Sequence, residues 1–260
     1  MFPSFNLDKI YQFLIIALAF LLPLTVFGAN LVIVVICTLW LISGEYKSKF
    51  SQIFKNKLML ASIIFFCIHF VGLLWTEDLS WGLHIVHKMW YFIGLWPILY
   101  TLVRNNYIKH YIFAFLIAMF FSVICSYLIW FELIDSLESS MIQQLEAKFG
   151  IIINQFSLTP FMSSVSYNPI LAFAIYLVLY EIIFNKNNSR LKTYCYSFFS
   201  IIMIINIFIT NGRAGQIGFF VMIVLLVFQF FKNQNIKAFI VTLIIIPTIF
   251  FSSYQIIDNF

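Results

Sequence analysis

YIFAFLIAMFFSVICSYLIWF, residues 111–131, carries no charged side chain. A helix needs about 20 apolar residues to cross a hydrocarbon core of about 30 Å, and this run has that length. It is continuous rather than alternating, so it does not read as a barrel strand. Lipid offers no partners to backbone N–H and C=O groups, which leaves a helix as the form that can cross. Lys109 stands just before the run and Glu132 at its end. Charge at the edges and none inside is the pattern of a membrane span.

The same pattern repeats along the chain. Of its 260 residues, 63% are hydrophobic and 10% charged, with a mean hydropathy of +0.99. A water-soluble domain of this size could not hide so much apolar surface. Nine spans are predicted, at 10–27, 31–42, 58–74, 89–103, 111–131, 167–184, 194–209, 217–231 and 238–251. The first two form a tight pair broken at Gly28-Ala29-Asn30. The expected fold is all-α, a polytopic helical bundle forming one transmembrane domain over residues 1–260. No small-residue cleavage site follows the first run, so no cleavable leader is expected. Cys37, Cys67, Cys125 and Cys195 lie inside apolar runs and read as small buried residues, not as a disulfide frame or metal site.

Charge sets the expected orientation. With the N-terminus inside, Lys9 and the inner loops hold twelve of the fifteen Lys and Arg residues. Only Lys88, Lys148 and Arg213 fall outside. The opposite orientation would break the positive-inside rule at every loop. The outer segments carry Glu77, Asp78, Glu132, Asp135, Glu138, Glu146 and Asp258. The chain is therefore expected in a bacterial inner membrane, with residue 260 outside. The net charge of +5 reads as the orienting charge of inner loops, including the basic loop with Lys47, Lys49, Lys55 and Lys57, and not as a nucleic-acid surface. The outer segment 132–166 repeats Leu137, Met141, Leu145 and Phe149 at every fourth residue. With Asp135 or Ser136 to cap its start and Gly150 its end, it predicts a short amphipathic helix, lying on the outer leaflet or packed as a lid on the bundle.

Few polar groups at the outer face suit chemistry. Arg213, in TNGRAGQ between two spans, is a cation on the side where cations are rare; Gly212 and Gly215 are expected to let the backbone turn there. Its planar fork suits a diphosphate, and the bland alternative is snorkelling to headgroups. Lys88 shares a predicted helical face with His84 and His87 at i, i+3, i+4. That face reads as a cationic ledge, as a weak metal motif, or as interfacial anchoring beside Trp75, Trp81, Trp90 and Trp96. Glu77 and Asp78 are candidate acids or bases but read more simply as solvated. Glu181 is placed near the inner end of its span, and His69 is expected to make a helix-packing hydrogen bond. In SYNPILAF, residues 166–173, Pro169 fits a first helical turn, and Asn168 or Ser166 could cap it; such a helix start also favours an anion.

Three stretches resemble the O-antigen ligase and O-antigen polymerase superfamily: LLWTEDLSWGLHIVHK before WYFIGLWPILY, SYNPILAF, and ITNGRAGQIGFF. The last is similar to the family's threonine–x–serine–arginine–glycine turn, with Gly212 in place of the serine and Ala214 in place of the glycine. The resemblance implies a metal-independent glycosyltransferase without a cofactor. It would move a glycan from undecaprenyl-diphosphate, on the periplasmic face, to the lipid A–core of lipopolysaccharide. A polymerase would move it to another carrier-linked repeat. Arg213, Lys88 and Asn168 are the substrate-binding residues expected on this basis; membrane lipids are the other partners. The family's catalytic histidine lies in a large periplasmic loop after the point where this chain stops, so the chain is expected to correspond to the N-terminal part of such an enzyme, inactive by itself. A transporter of lipid-linked sugars is the alternative from another class. It would call for inverted repeats or ionisable groups at mid-membrane, and neither is evident.

Overall fold

The computed structural model describes residues 7–133, 158–185, 189–210 and 212–231. The described residues are helical, with no strand among them. The helices are α1 Leu7–Leu21, α2 Val26–Ile42, α3 Tyr46–Lys55, α4 Lys57–Gly72, α5 Leu79–Lys88, α6 Trp90–Ile93, α7 Leu95–Leu102, α8 Ile108–Trp130, α9 Ser164–Phe184, α10 Arg190–Ile209 and α11 Arg213–Phe230. Four stretches are long and apolar enough to cross a membrane: Lys57–Trp75, Asn105–Trp130, Ser164–Phe184 and Arg190–Ile209. A fifth qualifies if α2 and α3, bent by 117°, count as one. Trp90–Leu102 and Gly215–Phe230 are apolar but shorter. The described residues thus have the helices of a multi-pass membrane protein, with four or five full-length spans among them; nine were expected for the whole chain. The predicted ninth span, the outer amphipathic helix and the C-terminal end lie outside the described residues.

Several boundaries differ from expectation for local reasons. The break between α1 and α2 falls at Leu22–Thr25, not at Gly28-Ala29-Asn30. Pro23 has no N–H and disfavours a helical residue before it, so it ends α1, while a glycine inside an apolar helix is merely less favourable. The predicted fourth span is divided at Gly94 into α6 and α7. The expected basic loop forms α3. The helix α9 starts at Ser164 after Ser163 as N-cap, so Asn168 and Pro169 lie inside it and neither caps nor opens it. Cys37 and Cys125 are half-buried, whereas Cys67 and Cys195 are exposed; all four are free thiols.

The chain divides into two compact units, parted within α8 at Ala114/Phe115, with Pro23–Val26 falling to the second. In the first, Tyr11, Ile15, Leu18, Ile33, Ile36, Trp40, Leu95 and Leu102 make a buried core. Polar ties run through it. Trp40 Nε1 donates to Thr101 Oγ1 at 3.0 Å, Gln12 Nε2 donates to the Leu102 carbonyl at 3.1 Å, and Tyr111 donates to Gln12 Oε1. Ser62 on α4 donates to the Phe92 carbonyl at 3.0 Å. In the second unit α9 is the central helix, packed on α10 and α11. Tyr167, Leu171, Ala172, Ala174, Ile175 and Val178 of α9 are buried. Large apolar side chains such as Phe113, Phe198 and Ile217 face outward. Helices apolar on all sides belong in lipid, where an outward Phe costs nothing.

Candidate functional site at the head of α11

The turn between α10 and α11 rests on Asn168. Thr210 follows the last residue of α10, and its hydroxyl lies 2.6 Å from Asn168 Oδ1 and 2.9 Å from the Asn206 carbonyl. Gly212 is the N-cap of α11, with φ −89° and ψ 91°, a conformation open to any residue. The glycines are therefore not there to let the backbone turn. They are there for space. A Cβ on Gly212 would stand 1.8 Å from Asn168 Nδ2, and one on Gly215 would stand 2.1 Å from Asn168 Cβ and 2.6 Å from its carbonyl carbon. Only glycine lets α11 come this close to α9, as at small-residue contacts between membrane helices.

Below the turn lies a buried polar network. Tyr167 OH donates to Asn206 Oδ1 at 3.0 Å, and Asn206 Nδ2 donates to Ser126 Oγ at 2.8 Å. Ser126 donates to the Leu158 carbonyl at 2.8 Å. Tyr127 OH donates to the Ile202 carbonyl at 2.9 Å. These bonds fix α8, α9 and α10 against one another, and Tyr167 stands next to Asn168 in sequence. Asn168 is fully buried, and its Nδ2 has no hydrogen-bond partner. A buried donor without a partner costs about 1–3 kcal/mol.

Arg213 is the first residue of α11 and is exposed. Among the described residues it has no ion pair. The N-cap of α11, Gly212, has no side chain to cap its first amides. The head of α11 thus combines an accessible guanidinium with the start of a helix whose N-cap residue, Gly212, has no side chain, while the Asn168 amide is buried beneath the turn. The guanidinium and the helix start both favour an anion.

Of the three expected substrate-binding residues, the structure brings two together: Asn168 sits under the turn that carries Arg213. Sequence reasoning named both but not their contact; three glycines spaced at 212, 215 and 218 were the available sign of close helix approach. Lys88 belongs to the first unit. It ends α5, exposed, with His84 and His87 on the same helix and also exposed. The three share α5 and its exposed surface, with the Trp81 ring 5.6 Å from that of His84. Asp78 serves as the N-cap of α5, accepting from Trp81 N at 2.9 Å, and Glu77 is exposed. The His69 Nδ1 bonds to the carbonyl of Phe65 in its own helix at 2.9 Å, not to another helix. Glu181 pairs with Lys192 at 3.2 Å and accepts from Asn185 at 2.7 Å. Among the described residues no group of three or more His, Cys, Asp and Glu could hold a metal ion. No family model, curated protein or solved structure matches the chain.

Proposed function

We propose that the chain is the membrane part of a glycosyltransferase that works on a glycan carried by undecaprenyl-diphosphate, with Arg213 on the diphosphate. The observation that carries this reading is the head of α11, where Arg213, the first residue of the helix, is exposed and without an ion pair among the described residues. As the glycosidic bond to the carrier breaks, negative charge grows on the diphosphate leaving group. A fixed cation there lowers the barrier, and Arg offers a planar fork of donors with a permanent charge. Asn168 acts as a positioning residue, because the turn that presents Arg213 is packed directly on it. Lys88, at the end of α5 in the first unit, is a candidate cation by the resemblance alone. The acceptor is lipid A–core, the face is periplasmic, and the membrane is the bacterial inner membrane; these follow from the resemblance of ITNGRAGQIGFF and from the distribution of basic residues.

The test is O-antigen attachment in a ligase-deficient strain complemented by the intact gene that encodes this chain. Arg213→Ala should lower attachment by roughly 10²–10³ at equal membrane levels, and Arg213→Lys should also be impaired. Normal attachment with Arg213→Ala would refute the role. If complementation instead lengthens chains from a single attached repeat, the activity is that of a polymerase using the same site.

A further inference from the structure

The corner between α2 and α3 belongs to the first unit. Gly44 (φ 70°) and Glu45 (φ 56°) are both left-handed, and they turn the chain through 117° between the two helices. Lys49 locks the corner. Its Nζ donates to the Trp40 carbonyl at 3.1 Å and to Ser43 Oγ at 2.6 Å, and it lies 4.7 Å from the centre of the Trp40 ring. Burial lowers its pKa, partly offset by the Glu45 carboxylate. Lys49 is thus occupied in capping the end of α2. Asn56 closes the other end of α3 and at once starts α4, accepting from Leu58 N and Met59 N at 2.9 and 3.2 Å.

Helix α3 therefore stands between the end of one apolar helix and the start of a full-length span. A continuation of α2 into lipid would bury lysines at a cost of several kcal/mol. A turn of 117° departs from a right angle by less than the 0–40° range of tilts that spanning helices show, so α3 can lie along the membrane surface. Its side chains divide to match. Tyr46, Phe50 and Phe54 recur at every fourth residue and are 42%, 47% and 57% exposed; Tyr46 and Phe50 rest edge-on against Trp40, with ring centres 5.9 and 6.1 Å away, and their other sides and Phe54 face outward. Lys47 and Lys55 on α3, and Lys57 just after it, are exposed and without ion pairs among the described residues. The one acid in residues 45–57 is Glu45.

We infer that α3 is a surface-seated helix that binds anionic phospholipid headgroups through Lys47, Lys55 and Lys57, with Tyr46, Phe50 and Phe54 in the acyl boundary. An aromatic row beside a basic row is the arrangement that seats a helix at an anionic interface. Each basic residue near such a surface raises affinity by up to roughly fivefold, less as salt screens it.

The experiment reconstitutes the full chain in vesicles and measures its association with spin-labelled phosphatidylglycerol against spin-labelled phosphatidylcholine. The wild type should prefer phosphatidylglycerol several-fold. The variant K47Q/K55Q/K57Q should lose most of that preference, as should the wild type in high salt. The control K9Q/K109Q, altered at other basic positions, should keep it. An unchanged preference in the triple variant, or an equal loss in the control, would overturn the proposal. A spin label on Phe54→Cys, in a chain whose native cysteines are serine, should be reached by oxygen more than by a water-soluble nickel reagent; a label on Ser51→Cys should show the reverse. Equal exposure of both to the nickel reagent would also overturn it.

Discussion

Gly215→Ala is the most exacting perturbation of the α9–α11 contact. The added Cβ would stand 2.1 Å from Asn168 Cβ, 2.6 Å from its carbonyl carbon and 2.8 Å from its Cα. Two of those three atoms are backbone, so no rotamer change relieves the overlap. The helices must part until the closest pair reaches at least the 3.4 Å of ordinary contact. Overpacking of this kind costs about 1–3 kcal/mol, and rigid neighbours put it at the upper end. For a protein of this size that is a fall in melting temperature of roughly 5–10 °C. The assay is thermal unfolding of the purified protein in mild detergent. Gly218→Ala is the matched control, because its Cβ would meet the Ala172 Cβ at 3.9 Å; it should stay within about 0.5 kcal/mol of the wild type. Gly212→Ala differs again, since its worst clashes, at 1.8 and 2.7 Å, are with the Asn168 side-chain amide. Adding Asn168→Ala should restore much of its stability but little of that of Gly215→Ala. If Gly215→Ala and Gly218→Ala melt together at the wild-type temperature, the close approach of α11 to α9 is wrong.

Tyr167→Phe removes the donor to Asn206 Oδ1 and should cost about 0.6–1.7 kcal/mol, the range of such bonds between membrane helices, read as a shift in the same melting assay. Asn206→Leu should cost more, because it leaves both Tyr167 OH and Ser126 without that partner. In the first unit, Thr101→Val strands the Trp40 indole N–H and should cost about 1–3 kcal/mol, a larger loss than with Trp40→Phe made alongside it. Arg104→Gln breaks a pair with Asp8 whose side chains are about half exposed; a double-mutant cycle should return less than about 1 kcal/mol.

Apolar runs locate helices well when charge and length agree. The predicted 111–131, 167–184 and 194–209 lie within α8, α9 and α10 but for one or two end residues. They had no internal breaker except Pro169, which the helix absorbs because packing on both sides of α9 outweighs one lost hydrogen bond. Breaks inside apolar runs were less legible. Pro23 and Gly28 both punctuate the first pair of runs, and the chain turns at Pro23, the stronger breaker of the two. Helix α3 was missed because its lysines dominate its composition, whereas its i, i+4 aromatic row is the structural signal. At the site, Arg213 stood out by sign and place. The roles of Gly212, Gly215 and Asn168 depend on a contact between distant helices, which no local pattern states.

Binding of the carrier diphosphate at Arg213 is the central claim, and titration of the purified chain with undecaprenyl-diphosphate, followed by native mass spectrometry, measures it directly. The expected result is saturable binding to the wild type, weaker binding of undecaprenyl-monophosphate, and a loss of roughly 10–100-fold in Arg213→Ala, the worth of a charge-assisted hydrogen-bond pair. Equal affinity of wild type and Arg213→Ala for the diphosphate would contradict it.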